Sequence, residues 1–425
     1  MRLRTFLLDS STRQTARLSM GSAAAAVITF AASPLLTRIF GPEVLGLFGV
    51  FSALGVILAL VATGRFDLAI PIPVKESEAA GLYRLCYRVA VVAGLGVACL
   101  LPLRAQLAHA LGYPGLEPWL IALPATVVLG AWIQTETAWA TRVQSFGAIA
   151  KARVVQATVT AAIQIGLSFA GWIALPAGLL AGFFAQIALM RKIRPDNDLT
   201  RLEPPSALVR KYRQFPLYTL PSGLLDAITM QLPLLVGGLF FGPAFAGFYV
   251  LSSKILALPS AFFGGPAGQV FYREFAKRLN SGGNARALIF SAWIKLAAMG
   301  AIPFLVLAYS GPWLFEHIYG DTWRAAGEMA VVLGPMFFVM LISSPTSGAM
   351  LVLGGQRVSA VFSLCFPVYR LTCLWFGYRQ DNPLLGLALL ALAEIITILI
   401  FNLILLRRLS VRPDEFTPEQ KPLPS

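Results

Sequence analysis

Histidine is almost missing from this chain: only His109 and His317 occur among 425 residues. Zinc centres and histidine acid–base catalysis both draw on that side chain, so neither chemistry has material here. Cysteine is nearly as scarce. Cys86, Cys99, Cys365 and Cys373 fall in or beside apolar tracts without metal-ligand spacing, which also argues against a disulfide framework. Charge is thin, at 13% of residues, where soluble domains carry about 25%. No phosphate-binding loop of the P-loop pattern is present, so ATP hydrolysis by this chain is not expected. The N-terminal segment, with Arg2, Arg4, Arg13 and Arg17 in mixed sequence, lacks the compact apolar core of a signal peptide and is expected to be retained. No long loop offers a place for the acceptor site of a glycosyltransferase or ligase. No metal or cofactor is expected, and the function is expected to be non-enzymatic.

What is present is apolar sequence: 57% of residues are hydrophobic. About 20 helical residues cross a bilayer core of roughly 30 Å, and twelve tracts reach that order of length. They are Leu18–Phe40, Val44–Thr63, Leu85–Leu103, Leu116–Ala138, Arg153–Trp172, Ile173–Met190, Leu217–Phe240, Ala244–Gly265, Ala287–Tyr309, Glu328–Val352, Val358–Tyr378 and Leu384–Leu406. The class is an all-α polytopic membrane protein. Residues 1–17 form an N-terminal segment, 18–190 and 215–406 two six-helix bundles, 191–214 a charged, proline-rich linker, and 407–425 a polar tail.

The net charge of +14 is not spread evenly. Across the twelve spans, 27 Lys and Arg fall on one side and 4 on the other, with Lys254, Lys295 and Arg370 inside spans. Basic residues mark the cytoplasmic side. Both termini are therefore expected in the cytoplasm, and the basic excess needs no nucleic acid.

The chain also repeats. Residues 40–48, FGPEVLGLF, match residues 241–249, FGPAFAGFY, at an offset of 201. Each copy joins the first and second span of its half. Two halves in the same orientation follow, related by an axis along the membrane normal and enclosing a central cleft, the symmetry of alternating-access transporters. Prolines inside spans, such as Pro34, Pro221, Pro233 and Pro367, favour the bent helices that such rocking uses.

Polar residues line up on the first span (Ser22, Thr29, Ser33, Thr37) and the seventh (Thr219, Ser222, Asp226, Thr229), each at helical spacing. A third stripe runs through Gln156, Thr160, Gln164 and Ser168 on the fifth. These stripes either bond helix to helix or line a central, water-filled cavity. Charges within spans cost a few kcal/mol each at mid-bilayer, so each should face a cavity or a partner. Lys254 and Arg370, near mid-span, are the leading candidates for holding an anionic group. Arg38, Arg65 and Lys295 would extend that positive surface, unless they snorkel to the interface. Asp226 either neutralises Lys254 or couples transport to a cation. Glu394 is either a partner of Arg370 or a proton site, and Glu136 is a further intramembrane carboxylate.

Three stretches carry a resemblance. Residues 35–80, from LLTRIFGPEVLGLF through TGRFDLAIPIPVKESEAA, residues 215–278 with FGPAFAGFYVLSSK and GQVFYRE, and residues 318–356 resemble the Wzx-type oligosaccharide flippases, or polysaccharide biosynthesis proteins. That resemblance implies the multidrug/oligosaccharidyl-lipid/polysaccharide exporter fold. It also implies flipping of an undecaprenyl-diphosphate-linked oligosaccharide across a bacterial inner membrane, for O-antigen, capsule or exopolysaccharide synthesis. Arg65 and Asp67 fall in the family's TGR[FY][DE] element, and Lys254 at a basic position of its eighth helix. A polysaccharide polymerase and a chain-length regulator are the implied protein partners, beside membrane lipid. The competing expectations are a cation-coupled drug exporter of the same superfamily and, further off, a membrane glycosyltransferase or ligase.

Overall fold

The computed structural model describes residues 10–195, 203–264 and 283–409, with Phe271, Glu274, Phe275, Lys277, Arg278 and Leu279 between them. Arg2, Arg4, Arg201, Arg273 and the tail beyond Leu409 lie outside the described residues, as does most of the GQVFYRE element.

Among the described residues, twelve helices of 17 residues or more follow one another. In the first half they are α1 Ser10–Ile39, α2 Pro42–Ala62, α3 Glu76–Cys99, α4 Leu123–Arg142, α5 Phe146–Gly166 and α6 Ala174–Met190. The second half holds α7 Leu220–Phe241, α8 Pro243–Pro259, α9 Ala285–Tyr319, α10 Arg324–Ser343, α11 Gln356–Arg379 and α12 Pro383–Arg408. Among the described residues, eleven segments have the length and hydropathy of a membrane span. The segment outside that set is α5, where Lys151, Arg153, Gln156, Thr160 and Gln164 dilute an otherwise apolar helix. The protein is a multi-pass membrane protein.

Local sequence explains the helix ends. Pro42 and Pro243 each open a helix at its first position, where the missing N–H costs nothing. Asn284 and Asn382 cap α9 and α12, their side chains accepting from Ala287 N and Leu385 N at 2.9 and 3.0 Å. The fifth and sixth spans part at Gly171, whose φ of 63° is one that glycine adopts freely.

Several ends differ from the hydropathy reading. α5 begins at Phe146, seven residues before Arg153, so that arginine sits inside the helix and not at its mouth. α3 starts at Glu76 instead of Leu85, and α9 runs unbroken through Pro303 and Pro312 to Tyr319, not Tyr309. Hydropathy marks where hydrocarbon begins, whereas helices continue into the headgroup region on polar residues.

Within the first half α1 packs on α5, α5 on α6, and α3 and α2 on α4; within the second α9 packs on α10, α10 and α11 on α12, and α7 on α11. Buried aromatics fill each bundle: Phe51 and Trp119 in the first, Phe315 and Trp323 in the second. Outward faces are apolar too. On α12, Leu392, Ile396, Leu399 and Leu403 are exposed at helical spacing while Leu387, Leu390 and Ala391 are buried. In lipid such a face costs nothing, and close packing of small residues holds the helices together.

The halves meet chiefly where α2 lies against α8 and α7. Gly46 and Gly247 are the equivalent glycines of the two FGP repeats, and they face each other across the pseudo-two-fold axis. A Cβ on Gly46 would sit 1.8 Å from the Pro243 carbonyl oxygen, and one on Gly247 would sit 2.1 Å from that of Pro42. Only glycine allows this approach. At the same end of the molecule Trp323 Nε1 donates to the Thr37 carbonyl (3.1 Å) and the Tyr113 hydroxyl to that of Leu235 (2.5 Å). The FGP end is thereby sealed between the halves.

Candidate functional site

Behind that seal lies a cavity of about 430 Å³. The first half lends it only α2, through Phe48, Gly49, Ser52, Ala53 and Val56; the rest of the wall comes from α7, α8, α10, α11 and α12. Most of the lining is apolar, with Ser52, Gln231, Tyr249 and Ser253 as neutral polar groups.

Three charges reach it: Lys254, Arg370 and Glu394. Arg370 on α11 is buried and its Nε donates to Glu394 Oε1 of α12 at 2.6 Å, with Nη2 completing a forked ion pair. Its Nη1 donates to the Thr229 carbonyl of α7, also at 2.6 Å. A buried guanidinium is tolerable only when paired and hydrogen-bonded in this way. Lys254 differs. Among the described residues it has neither a hydrogen bond nor an ion pair, and its side chain is exposed toward the cleft. The cavity thus holds one neutralised cation and one free one. That arrangement suits an anion.

The remaining sequence candidates scatter. Asp226 is exposed on α7 and forms no ion pair with Lys254, so of its two alternatives the neutralisation of Lys254 does not form. Arg38 sits at the sealed end, where its Nη2 donates to the His317 and Ile318 carbonyls (3.1 and 3.4 Å) at the close of α9. It is a bridge between halves, away from the cleft. Arg65 sits in the left-handed region (φ 60°) between α2 and α3, with its guanidinium pressed on Gly223 of α7. It bridges the halves at the opposite, arginine-rich end and does not line the cavity. Beside it, Asp67 is buried, and burial raises its carboxyl above the usual range against the opposing pull of Thr63 and Arg65. Lys295 is exposed on α9 and does not line the cleft cavity.

A single central cavity lined by both polar stripes is not what forms. Ser22 and Thr29 of α1 face Gln156, Thr160 and Gln164 of α5 around a separate cavity of about 390 Å³ inside the first half. There the Arg153 guanidinium donates to Ser22 Oγ at 2.6 Å. Ser33 and Thr37 donate back to their own helix, at the Phe30 and Pro34 carbonyls, and Ser222 likewise to that of Thr219. Thr229 is buried behind Arg370. The reason is the packing: α1 is held against α5, so it is α2 that fronts the cleft.

Glu136 of α4 is buried in a network that sequence reading did not assemble. It accepts from the Tyr83 hydroxyl (2.9 Å), the Tyr87 hydroxyl and Arg194 Nε (2.6 Å), the last from just beyond α6. Tyr83 and Tyr87 recur one turn apart on α3, a spacing that was visible. Arg194 lies in the charged 191–214 linker, where sequence alone points to no partner. Where that linker resumes, Lys211 and Tyr212 both donate to Glu78 of α3, and the Glu78 carboxylate holds the Lys211 ammonium above its ordinary pKa.

Solved structures of MOP-superfamily transporters share this helical fold of two bundles about a cleft. An inward-facing multidrug resistance MATE family transporter superposes with a TM-score of 0.58 at 12% identity, covering 95% of this chain and 96% of that one. A point mutant of the Vibrio cholerae MATE transporter VcmN gives 0.59 at 15%, over 96% and 98%. A Pyrococcus furiosus MOP transporter, described as having a binding pocket of reverse polarity, gives 0.60 at 12%, over 95% and 97%. These likenesses establish the fold. Residues 35–328 match the family described as polysaccharide biosynthesis protein, and the chain belongs to that family. No curated protein matches it in sequence.

Proposed function

We propose that this protein moves a lipid-linked oligosaccharide, carried on a polyprenyl diphosphate, from the cytoplasmic to the outer leaflet of a bacterial inner membrane, and does no covalent chemistry. The observation that carries the reading is the Lys254 ammonium, unpaired among the described residues, in a cleft whose other cation, Arg370, is already neutralised by Glu394. A diphosphate cannot enter hydrocarbon unaided, because an isolated ion pays heavily to leave water. A cleft with one available ammonium gives that headgroup a partner while the prenyl tail stays in lipid. The arginine-rich end is read as cytoplasmic, with both termini there. The sealed FGP end then faces outward, and substrate would enter from the cytoplasmic side before the halves rock.

Membership of a polysaccharide biosynthesis family supports the substrate class. A polymerase and a chain-length regulator would act on the delivered product. Drug export in exchange for cations is the second reading, favoured by the MATE structures but opposed by a cavity whose net charge is positive. The deciding experiment deletes the gene in its host and measures surface polymer beside the precursor in the cytoplasmic leaflet. Loss of polymer with accumulation of finished, unflipped precursor is expected, rescued by wild type and not by Lys254→Ala. Normal polymer with altered drug sensitivity would sink the reading.

A further inference from the structure

A third cavity, of about 950 Å³, opens at the arginine-rich end of the first half, apart from the cleft. Its wall is built where the start of α3, the end of α4 and the chain just past α6 converge. Four guanidiniums line it, Arg84, Arg88, Arg191 and Arg194, against the exposed carboxylate of Glu76. Arg194 is fixed in place by buried Glu136 and by the Tyr87 hydroxyl, which accepts from Nη2 at 2.6 Å. Arg84, Arg88 and Arg191 have no hydrogen bond or ion pair among the described residues. With one carboxylate, Glu76, against them, three guanidiniums unpaired among the described residues repel one another around this hollow, and an anion between them lowers that cost.

The position narrows the anion. Residues 89–103 of α3 and its extension carry no charge, so Arg84 and Arg88 stand just where hydrocarbon gives way to headgroups. Tyr87 stacks on Trp132 (4.9 Å between centroids) and Tyr83 meets Trp139 edge-on (5.7 Å), giving the hollow an aromatic floor typical of that depth. Guanidiniums match phosphate oxygens in a forked geometry. The hollow is also far larger than a phosphate alone needs, and it has room for the glycerol of a headgroup.

We propose that this cavity binds a phosphate group, presented by an anionic lipid at the membrane surface. The site is independent of what passes through the cleft. The test uses the full chain in nanodiscs of phosphatidylcholine, with or without phosphatidylglycerol, reading retained lipid by native mass spectrometry and stability by thermal melting. A parallel arm adds inorganic phosphate or pyrophosphate to phosphatidylcholine discs. The expected result is selective retention of phosphatidylglycerol and a raised Tm. Each arginine contributes about fivefold, so Arg88→Gln/Arg191→Gln should weaken retention by an order of magnitude or more. Both side chains are exposed, so the fold does not depend on them. Arg88→Lys/Arg191→Lys should restore part of the binding, and Arg210→Gln/Arg213→Gln, off the cavity, should change nothing. Stabilisation by soluble phosphate alone, lost in the glutamine variant, would support the phosphate site and assign it a soluble source. Equal phosphatidylglycerol retention by wild type and the glutamine variant, or no response to either phosphate source, would overturn the proposal.

Discussion

Replacing Gly46 by alanine should break the seal between the halves. The new Cβ would stand 1.8 Å from the Pro243 carbonyl oxygen, also crowding Gly247 N at 2.8 Å. Ordinary contact begins near 3.4 Å, so α2 and α8 must part by well over an ångström. Both obstacles are backbone and cannot rotate aside. Overpacking of this kind costs about 1–3 kcal/mol. Because the clash exists only while the FGP ends touch, the cost falls on the sealed state alone. The open-outward population should therefore rise by roughly fivefold to 150-fold. Ser52 lines the cavity behind the seal and can report it. With the four native cysteines replaced, Ser52→Cys should react with an impermeant maleimide from the outer side faster by that factor in Gly46→Ala, and likewise in Gly247→Ala. Gly96 has open space where its Cβ would go, so Gly96→Ala is the control. Equal labelling of Gly46→Ala and Gly96→Ala in folded protein would refute the account of the seal.

Arg370→Ala should lower stability by about 3–5 kcal/mol, because it strands Glu394 in a buried site; Arg370→Met with Glu394→Leu should recover most of the loss, and equal melting of single and double variants would contradict this. Asp67→Asn should stabilise the protein at neutral pH. The folded-state pKa of Asp67 is raised by burial, so its favourable contribution is complete below the ordinary carboxylate value near 4 and is lost as pH rises through the raised value. The gain in Tm should therefore shrink on acidification, and a gain independent of pH would exclude the buried charge as its cause. Trp323→Phe keeps an aromatic ring but removes the donor to the Thr37 carbonyl and part of a fully buried indole. About 1 kcal/mol of sealed-state stability should go with it, seen as faster Ser52→Cys labelling.

The helix count and the two-bundle fold were legible because lipid permits so few alternatives: a spanning segment must satisfy its own backbone. The repeat was legible because both copies kept FGPxxxG, and the contact between Gly46 and Gly247 shows why glycine stands at that place in both. Partnership was not legible. A stripe such as Ser22 and Thr29 shows that one face of α1 is polar but not which helix it meets, and that helix proved to be α5. Arg153 and Arg194 fall among the basic residues of the cytoplasmic side, and that count carries no sign of a partner. Their real partners, Ser22 and Glu136, are 131 and 58 residues away in sequence. Asp226 and Lys254 invited the opposite error, since opposite charges on adjacent helices need not share a depth or a face.

The repeat and the charges obey different rules, and the difference bears on mechanism. The seal is symmetric: each half contributes a glycine at the equivalent position, so opening it separates two matching surfaces and breaks hydrogen bonds such as those of Arg38 and Trp323 but, among the described residues, no ion pair. The charges are asymmetric. Lys254, Arg370 and Glu394 all come from the second half, and the equivalent region of the first supplies Ser52, Ala53 and Val56 to the same cavity. A headgroup held by Lys254 would therefore stay with the second half as the first swings away, and would not be pulled between two cationic faces. Moving the ammonium to the first half, by Lys254→Ala with Ser52→Lys, keeps the cavity's charge and changes only which half carries it. Transport should stay low in that double variant if the carrying half matters. Recovery to the wild-type rate would show that the cavity's net charge alone suffices.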